Sequence, residues 1–231
     1  MKLSIVIPAY NEERTVRAVI ERVRKVNIGA LEKEIIVVDD CSTDDTAAIT
    51  ENVRGVVLVR QPVNRGKGAA VRAGFAKATG DIVLIQDADL EYDPSDYPAL
   101  LAPLTNGRAD VVYGSRFVGE KPHRVLLFHH YIANKCLTVF SNLLTNLNLS
   151  DIEVGYKVFS RAALERIRPH LTADRFGIEA ELTARIARAQ LRVYEVGIAY
   201  YGRTYAEGKK IRWTDGVAAL WHIVAYNLFK Y

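Results

Sequence analysis

A short apolar run with two carboxylates directly behind it stands at Asp81-Ile82-Val83-Leu84-Ile85-Gln86-Asp87-Ala88-Asp89. The run follows a turn at Gly80 and predicts a buried β-strand. Carboxylates at the C-terminal edge of a parallel sheet can hold a divalent cation together with a phosphorylated ligand. Because Asp is also common in ordinary turns after strands, the remainder of the chain has to decide between the two interpretations.

The first part of the chain alternates between strand and helix patterns. Short apolar, β-branched runs predict strands, and the segments between them have helical spacing or small residues. The predicted strands lie at residues 3–7, 34–38, 56–59 and 82–85. We expect Pro8 to end the first strand and Asn11 to cap the helix behind it. This alternation is typical of a doubly wound α/β fold with a mostly parallel sheet.

The second half of the chain has a different pattern. Apolar residues three or four apart predict amphipathic helices over 124–149 and 215–231. We also expect strands at 110–113, 156–160 and 193–200 and helices at 97–104, 162–167 and 179–189. No linker, repeat or low-complexity segment separates the two halves, so we expect a single domain over residues 1–231.

The composition is that of a globular α/β protein and argues against several other classes. Of the 231 residues, 49% are hydrophobic and 25% are charged. The net charge of +4 is too small to predict nucleic-acid binding, although it permits an anionic partner. Cys41 and Cys136 form neither a disulfide framework nor a zinc-site spacing, which favours a reducing, cytoplasmic setting. We expect no signal peptide and no spanning helix, because no uncharged stretch reaches the roughly 18–20 apolar residues required.

Polar loops follow all four early strands, at the edge where the ends of parallel strands meet. Tyr10 can stack on a base, and Glu12 can accept hydrogen bonds from ribose hydroxyls. The loop around Lys67 lacks the Gly-x-x-x-x-Gly-Lys-Ser/Thr spacing of a P-loop, but its charges can approach a diphosphate. Ser42 and Asp44 are equally well explained as helix N-caps. The loops read Pro8-Ala9-Tyr10-Asn11-Glu12, Asp39-Asp40-Cys41-Ser42-Thr43-Asp44-Asp45-Thr46, Asn64-Arg65-Gly66-Lys67-Gly68 and Asp87-Ala88-Asp89.

In this order and spacing, the loops resemble the family-2 glycosyltransferases of the GT-A fold over roughly residues 3–116. The resemblance implies that residues 1–116 bind a sugar nucleotide and that 117–231 face the acceptor. It also implies Mg²⁺ or Mn²⁺ at Asp87 and Asp89, where the ion would neutralise the leaving diphosphate. Glu91 is a further candidate ligand, although relatives often carry Gln or a His-containing run there. The residues implied to bind the donor are Pro8, Tyr10, Glu12, Asp39, Asp40, Lys67, Asp87, Ala88 and Asp89.

Two later segments resemble the polyprenyl-phosphate glycosyltransferases of the dolichol-phosphate mannose synthase type. The first is Asp151-Ile152-Glu153-Val154-Gly155-Tyr156-Lys157, which matches their Asp-x-x-x-Gly-[Phe/Tyr]-[Arg/Lys] pattern. The second is Arg203-Thr204-Tyr205-Ala206-Glu207-Gly208-Lys209-Lys210, in which Lys209 replaces a Ser of the family. A solvated basic loop is the plain alternative. The residues implied to hold a lipid phosphate are Arg116, Arg203, Lys209 and Lys210.

The expected reaction is inverting transfer of a hexose from GDP-mannose or UDP-glucose to a polyprenyl phosphate. That phosphate is already ionised, so catalysis needs positioning and cationic stabilisation rather than a strong base. We expect the metal at Asp89, together with Arg116, to stabilise the leaving group. A transferase that acts on a sugar hydroxyl would instead need a carboxylate base, for which Asp151 and Glu179 are the candidates.

Two further classes stay open at this point. A non-catalytic sugar-nucleotide-binding protein would have the same fold, but the intact Asp87-Ala88-Asp89 argues against it. A nucleotidyltransferase usually has a Gly-x-Gly-Thr-Arg loop after its first strand, where this chain has Pro8-Ala9-Tyr10-Asn11-Glu12.

The amphipathic stretches 124–149 and 215–231 bear on where the protein acts. They contain aromatic and basic residues that suit a membrane interface, although core packing explains each helix as well. A lipid acceptor has to be reached from the bilayer surface. We therefore expect a cytoplasmic protein bound peripherally to the cytoplasmic face of a membrane, with a soluble glycan-modifying enzyme as the alternative.

Overall fold

The computed structural model describes residues 1–119, 121–122, 124–125, 127–204 and 213–229. Within them, helices pack against a seven-stranded sheet. The strands are β1 (Lys2–Ala9), β2 (Glu32–Asp39), β3 (Val56–Arg60), β4 (Ile82–Ile85), β5 (Val111–Ser115), β6 (Lys157–Ser160) and β7 (Val193–Gly197). The α-helices are α1 (Val16–Lys25), α2 (Thr46–Glu51), α3 (Lys67–Lys77), α4 (Tyr97–Thr105), α5 (Phe128–Thr145), α6 (Arg161–Ile167), α7 (Ile178–Arg188) and α8 (Trp213–Val224), which continues as a π-helical turn over Ala225–Phe229.

The strand order β3-β2-β1-β4-β6-β5-β7 explains why the polar loops share one edge. β1, β2, β3 and β4 run parallel, so their carboxyl ends open on the same side of the sheet. β6 lies antiparallel between β4 and β5, whereas β7 is parallel to β5. The expected α/β fold with a mostly parallel sheet is confirmed.

The centre of the sheet is buried beneath these loops. The four residues of β4 are at most 2% exposed, as a continuous apolar strand covered on both faces requires. α3 lies directly on β1, and a Cβ at Gly74 of this helix would collide with the side chain of Val6. The glycine therefore permits the close approach of helix and strand that fixes the start of α3 relative to the loops.

The first strand extends further than the sequence predicts. β1 continues through the half-buried Pro8 to Ala9 in its pairing with β2, whereas its pairing with β4 stops at Val6. Gln86 N–H donates to the carbonyl of Val6, so the backbone groups of Val6 point toward β4. Because every second residue of a strand points to the same side, the backbone nitrogen of Pro8 faces β4 as well. Since β4 has already ended there, the missing N–H of Pro8 costs no hydrogen bond.

The sequence predicts that Asn11 caps the first helix, but in the structure it does not. It has a left-handed backbone (φ 52°), and its Oδ1 accepts a hydrogen bond from the N–H of Thr43 at 2.9 Å. Its own N–H donates to Ser42 Oγ at 3.0 Å. Asn11 thus joins the first polar loop to the second, and α1 begins later, behind Thr15.

Two bidentate ion pairs join segments that are far apart in sequence. Arg116, directly after β5, donates to Asp151 from Nε at 2.6 Å and from Nη2 at 2.7 Å, and this carboxylate is fully buried. Arg192 makes the same contacts with Asp110 at 3.0 and 2.8 Å, but its side chain is 58% exposed. Burial raises the pKa of Asp151, but the charge of Arg116 and the hydrogen bonds from Arg116 and Asn134 together outweigh this effect and lower that pKa below its usual range.

We expect Asp151→Asn to lower the free energy of unfolding by about 3–5 kcal/mol near neutral pH, because Arg116, with a side chain only 17% exposed, loses its counter-charge. The folded-state pKa of Asp151 is lowered, so its contribution is complete above the unfolded value of about 3.9 and is lost as the pH falls below it. Urea unfolding of both proteins at neutral and acidic pH measures the difference.

Asp110→Asn is the matched control, because it breaks the same geometry at the surface, where solvent screens the charges. We expect a much smaller loss from this change. Equal losses in the two variants would mean that burial does not set the strength of the Arg116–Asp151 pair.

Candidate functional site

Gln86 anchors the turn that carries the two carboxylates. Its side chain is fully buried, and its Oε1 accepts hydrogen bonds from the hydroxyls of Tyr97 at 2.8 Å and Tyr156 at 2.7 Å. Its Nε2 donates to the backbone carbonyl of Asp87 at 2.9 Å. A buried amide with satisfied hydrogen bonds thus holds the turn against β4, with Ala88 also buried.

The carboxylate of Asp87 lies between a lysine and a glycine. Lys67 Nζ, at the start of α3, lies 2.8 Å from Asp87 Oδ1. On the other side, a Cβ at Gly155 would collide with Asp87 Oδ2. Glycine in the Asp-x-x-x-Gly segment is therefore what lets this segment approach the acidic turn.

Arg203, from the segment after β7, reaches the other carboxylates. Its Nη2 lies 3.4 Å from Asp89 Oδ2 and 3.7 Å from Glu12 Oε1. Its backbone N–H donates to Glu91 Oε1 at 2.9 Å. Burial, followed by the charges of Asp87 and Glu91, raises the pKa of Asp89 to about 7. Glu12, Asp89 and Glu91 thus share the single positive charge of Arg203, and this excess of negative charge favours the binding of a further cation.

The three carboxylates predicted as metal ligands are not assembled as a set. Among the residues that the structure describes, no three His, Cys, Asp or Glu side chains converge on a possible metal position. The carboxylate of Glu91 is engaged elsewhere, since its Oε2 accepts from the hydroxyl of Tyr200 at 2.9 Å and its Oε1 from Arg203. Mg²⁺ is commonly held by one or two carboxylates together with substrate phosphates, so Asp87 and Asp89 alone fit such an ion.

The residues predicted to hold a nucleoside lie at the ends of β1 and β2 and in the loops that follow them. Tyr10 is 40% exposed, as a stacking platform requires, whereas Asp39 and Asp40 are buried. The carboxylate of Asp40 accepts the backbone N–H groups of Arg65 at 3.0 Å and Gly66 at 2.6 Å. Asp40 therefore holds the glycine-rich loop in place, and its contact with a nucleoside stays a prediction.

Arg116 stands among aromatic rings near the same edge. Its guanidinium carbon lies 5.2 Å from the ring centre of Tyr200 and 5.6 Å from that of Phe117. Its partner Asp151, predicted as catalytic, also accepts a hydrogen bond from Asn134 Nδ2 at 3.1 Å and is fully buried. This geometry suits a residue that orients Arg116 better than one that takes a proton from a substrate.

The structure contains a buried line of alternating charges that the sequence did not predict. Glu179 Oε1 lies 3.0 Å from Lys67 Nζ, and its second oxygen pairs with Nζ of Lys157. Lys157 is fully buried and Glu179 is 4% exposed. The available signal was a lysine within the apolar strand pattern of β6, since a buried lysine needs an acidic partner. Glu179, a candidate base for a hydroxyl acceptor, is thus engaged by two lysines.

Glu153 is a carboxylate to which sequence reasoning gave no role. It is half-buried in the loop before β6, and this burial, followed by the charge of Glu179, raises its pKa to about 7. A carboxyl group that exchanges a proton near neutral pH is a candidate acid or base. No sequence pattern signals this property, because it depends on the surroundings of the side chain.

Lys209 and Lys210 lie outside the described residues, so the predicted basic loop is represented here by its first residues, Arg203 and Thr204.

α5 packs against α8, and both helices present large apolar side chains to solvent. No helix in the described ranges is long and apolar enough to cross a membrane. The exposed side chains are Phe128, Tyr131, Ile132, Val139 and Leu143 on α5 and Val217, Leu220, Trp221, Leu228 and Phe229 on α8 and its π-helical turn.

Curated relatives match most of this chain. The low-salt glycan biosynthesis hexosyltransferase Agl6 of Haloferax volcanii is 33% identical over 202 residues, which are 87% of this chain and 48% of that protein. The dolichyl-phosphate β-glucosyltransferase ALG5D of Trichomonas vaginalis is 29% identical over 228 residues, with coverages of 91% and 68%. The dolichol-phosphate mannosyltransferase of Pyrococcus furiosus is 27% identical over 216 residues, with coverages of 91% and 61%. The chain thus spans about half to two thirds of the length of these relatives.

A solved structure shares the fold of nearly all of this chain. Glucosyl-3-phosphoglycerate synthase of Mycobacterium tuberculosis, in complex with Mn²⁺, uridine diphosphate and glucosyl-3-phosphoglycerate, superposes with a TM-score of 0.75. The alignment covers 98% of this chain and 80% of that chain at 24% identity. At this identity the likeness establishes the fold, and the expected GT-A architecture is confirmed.

The family itself follows from a match over most of the chain. The sequence profile described as Glycosyl transferase family 2 matches residues 4–168. The matched region contains the four polar loops, the acidic pair, Arg116 and the Asp-x-x-x-Gly segment. This chain belongs to glycosyl transferase family 2.

Proposed function

We propose that this chain transfers a hexose, with inversion, from GDP-mannose or UDP-glucose to a polyprenyl phosphate, with Mg²⁺ or Mn²⁺ as cofactor. The observation that carries the proposal is the position of Arg203. This cation begins the segment that resembles an acceptor loop, and it lies 3.4 Å from Asp89, which would hold the metal of the donor. The donor diphosphate and an acceptor phosphate would therefore meet beside one acidic pair.

The names of two relatives support the choice of acceptor. A dolichyl-phosphate β-glucosyltransferase and a dolichol-phosphate mannosyltransferase both match 91% of this chain. They name different sugars, which is why the hexose is left as either of two. Because the chain spans only part of each relative, both the lipid and the sugar are proposals.

In the proposed reaction, an ionised phosphate oxygen of the acceptor forms a bond to the anomeric carbon as the bond to the nucleoside diphosphate breaks. Asp87 and Asp89 would hold the metal ion, which supplies positive charge to the leaving diphosphate. Lys67 adds a second cation beside Asp87. Arg203 and Arg116 orient the acceptor phosphate, so that catalysis comes from positioning and charge stabilisation.

We expect Asp89→Asn to lower kcat/KM at least roughly hundredfold, because the leaving diphosphate loses its metal-mediated stabilisation. The assay combines each nucleotide sugar with Mn²⁺ and a short polyprenyl phosphate and identifies the lipid product by mass spectrometry. Chelation of the metal should abolish the same product.

Asp93→Asn serves as the control for this variant. Asp93 lies in the same loop, where its side chain accepts a hydrogen bond from the N–H of Ser95 at 2.9 Å, a role that Asn can also fill. It should retain activity. Full activity of Asp89→Asn would remove Asp89 from the proposed metal site.

We expect Arg203→Gln to raise the KM for polyprenyl phosphate about 10- to 100-fold, the effect of losing a charge-assisted hydrogen bond. The KM for the nucleotide sugar should change little, since Arg203 competes with the metal for Asp89 and its loss does not weaken donor binding. Steady-state kinetics with each substrate varied in turn measure both constants. Equal increases in both would argue against the acceptor role, and Arg192→Gln, at the exposed pair, controls for loss of a surface charge.

We also propose that the exposed apolar surface of α5 and α8 binds the membrane surface from which the lipid is taken. Replacing Val139 and Leu143, 57% and 77% exposed, by Asp should weaken binding to vesicles that contain anionic phosphatidylglycerol by about tenfold or more. Co-sedimentation measures the bound fraction. Val57→Asp, at an exposed position of β3, should bind as the unchanged protein does, and equal binding of all variants would exclude this surface.

A transferase that acts on a sugar hydroxyl is the second candidate, and the raised pKa of Glu153 is the observation that favours it. Asp151 and Glu179 are both engaged by cations, so Glu153 would be the base in this case. The product distinguishes the two candidates. A sugar transferred to a glycan hydroxyl, with no lipid product, would replace the first proposal by the second.

A further inference from the structure

Four buried or half-buried side chains of alternating charge form a line from the start of β6 to the acidic turn after β4. Their order is Lys157, Glu179, Lys67 and Asp87. Lys67 Nζ lies 3.0 Å from Glu179 Oε1 and 2.8 Å from Asp87 Oδ1, and Nζ of Lys157 pairs with Glu179 Oε2. The four charges sum to zero, as a buried cluster requires.

The line connects elements from both halves of the chain. Lys157 opens β6, Glu179 stands in the first turn of α7, and Lys67 opens α3. The inner end is fixed, because Lys157 Nζ also donates to the carbonyl of Ile152 at 3.2 Å and to that of Val154. Glu179 therefore has little freedom to follow Lys67 if that lysine moves.

The glycine-rich start of α3 holds the outer end of the line. A Cβ at Gly68 would collide with the carbonyl of Ala173, just before α7, and the N–H of Ala69 donates to the carbonyl of Asp174 at 2.9 Å. α3 and the segment that leads into α7 are thus in backbone contact. Lys67 is placed between the two carboxylates by backbone packing as well as by charge.

Lys67 shares its positive charge between two carboxylates. Its Nζ lies 2.8 Å from Asp87 Oδ1 and 3.0 Å from Glu179 Oε1, so one ammonium group forms ion pairs with both carboxylates. An ammonium ion that has two anionic partners neutralises each of them only in part. The negative charge of Asp87 that Lys67 does not neutralise is the charge that would attract a metal ion at the acidic turn.

We propose that Glu179, itself held by Lys157, is a positioning residue for Asp87 that acts through Lys67 and keeps this carboxylate able to bind a divalent cation. The inference rests on the proposed function, because it assumes that Asp87 and Asp89 hold the metal. Removal of the charge on Glu179 leaves Asp87 as the one strong partner of Lys67 within this line. The lysine then neutralises Asp87 more fully, and the metal binds more weakly.

The test measures Mn²⁺ binding rather than turnover. Free Mn²⁺ is followed by its electron paramagnetic resonance signal during titration of the protein, in the presence of uridine diphosphate or guanosine diphosphate. Glu179→Gln, which keeps the size of the side chain, should weaken Mn²⁺ binding roughly tenfold, the effect typical of losing a residue that orients a metal ligand.

Glu181→Gln is the matched control on the same helix. Glu181 is fully buried, and its carboxylate accepts hydrogen bonds from the N–H groups of Thr172 and Ala173 rather than from Lys67. The two changes remove the same charge from α7 and should both lower stability. Glu181→Gln should leave the Mn²⁺ affinity within about twofold of the unchanged protein, the scatter expected of an uncoupled site.

A double-mutant cycle tests whether the effect passes through Lys67. In a Lys67→Gln background, Glu179→Gln should cause no further loss of Mn²⁺ affinity, because the side chain that transmits its effect is gone. Additive losses would overturn the proposed route. If Glu179→Gln does not fold, Glu179→Asp replaces it: it keeps the charge but withdraws it by one methylene group, and unchanged Mn²⁺ binding in that variant would overturn the proposal.

The outcomes separate this inference from the proposed function. If the unchanged protein binds no Mn²⁺ with either nucleotide, the metal site at Asp87 and Asp89 fails, and the inference fails with it. If the unchanged protein binds Mn²⁺ and the Glu179 and Glu181 variants bind it equally well, only the positioning role of Glu179 fails.

Discussion

Two carboxylates at the end of β4 stand close together in a largely buried turn, and each is paired with a cation from a different part of the chain. Lys67 reaches Asp87 from the start of α3, and Arg203 reaches Asp89 from the segment after β7. Neighbouring like charges are costly where water is excluded, so these contacts set the arrangement of the whole edge. Burial, together with the charges of Asp87 and Glu91, raises the pKa of Asp89 to about 7 even with Arg203 beside it.

The same interactions join residues 1–116 to residues 117–231. Glu179 of α7 shares Lys67 with the acidic turn, and the largely buried pair of Arg116 and Asp151 joins the end of β5 to the loop before β6. A reaction between two anionic substrates requires cations on both sides of the new bond. The fold places Lys67, from the start of α3, and Arg203, from the segment after β7, beside the same carboxylate pair.

Sequence reasoning was most successful in predicting which loops lie together at the carboxyl ends of the parallel strands. The four loops were predicted to meet because parallel strands open at one edge, and the structure brings them together there. It was wrong about Pro8, because the direction in which a backbone N–H points depends on where the neighbouring strand ends. It did not anticipate that Tyr200 and Arg203 engage Glu91, or that two lysines engage Glu179. These partners come from segments that no local pattern connects.

The sequence by itself determined the α/β class, the order of the loops and the residue types available at the edge, because strand and helix patterns and turn chemistry are local properties of a chain. Only the tertiary structure decided which cation pairs with which carboxylate. Pairing and pKa depend on distances between side chains, and the partners here are remote: Arg203 and Asp89 lie 114 positions apart in sequence and 3.4 Å apart in space. The acidic turn after β4 is therefore visible in the sequence, but its charge is a property of the folded chain.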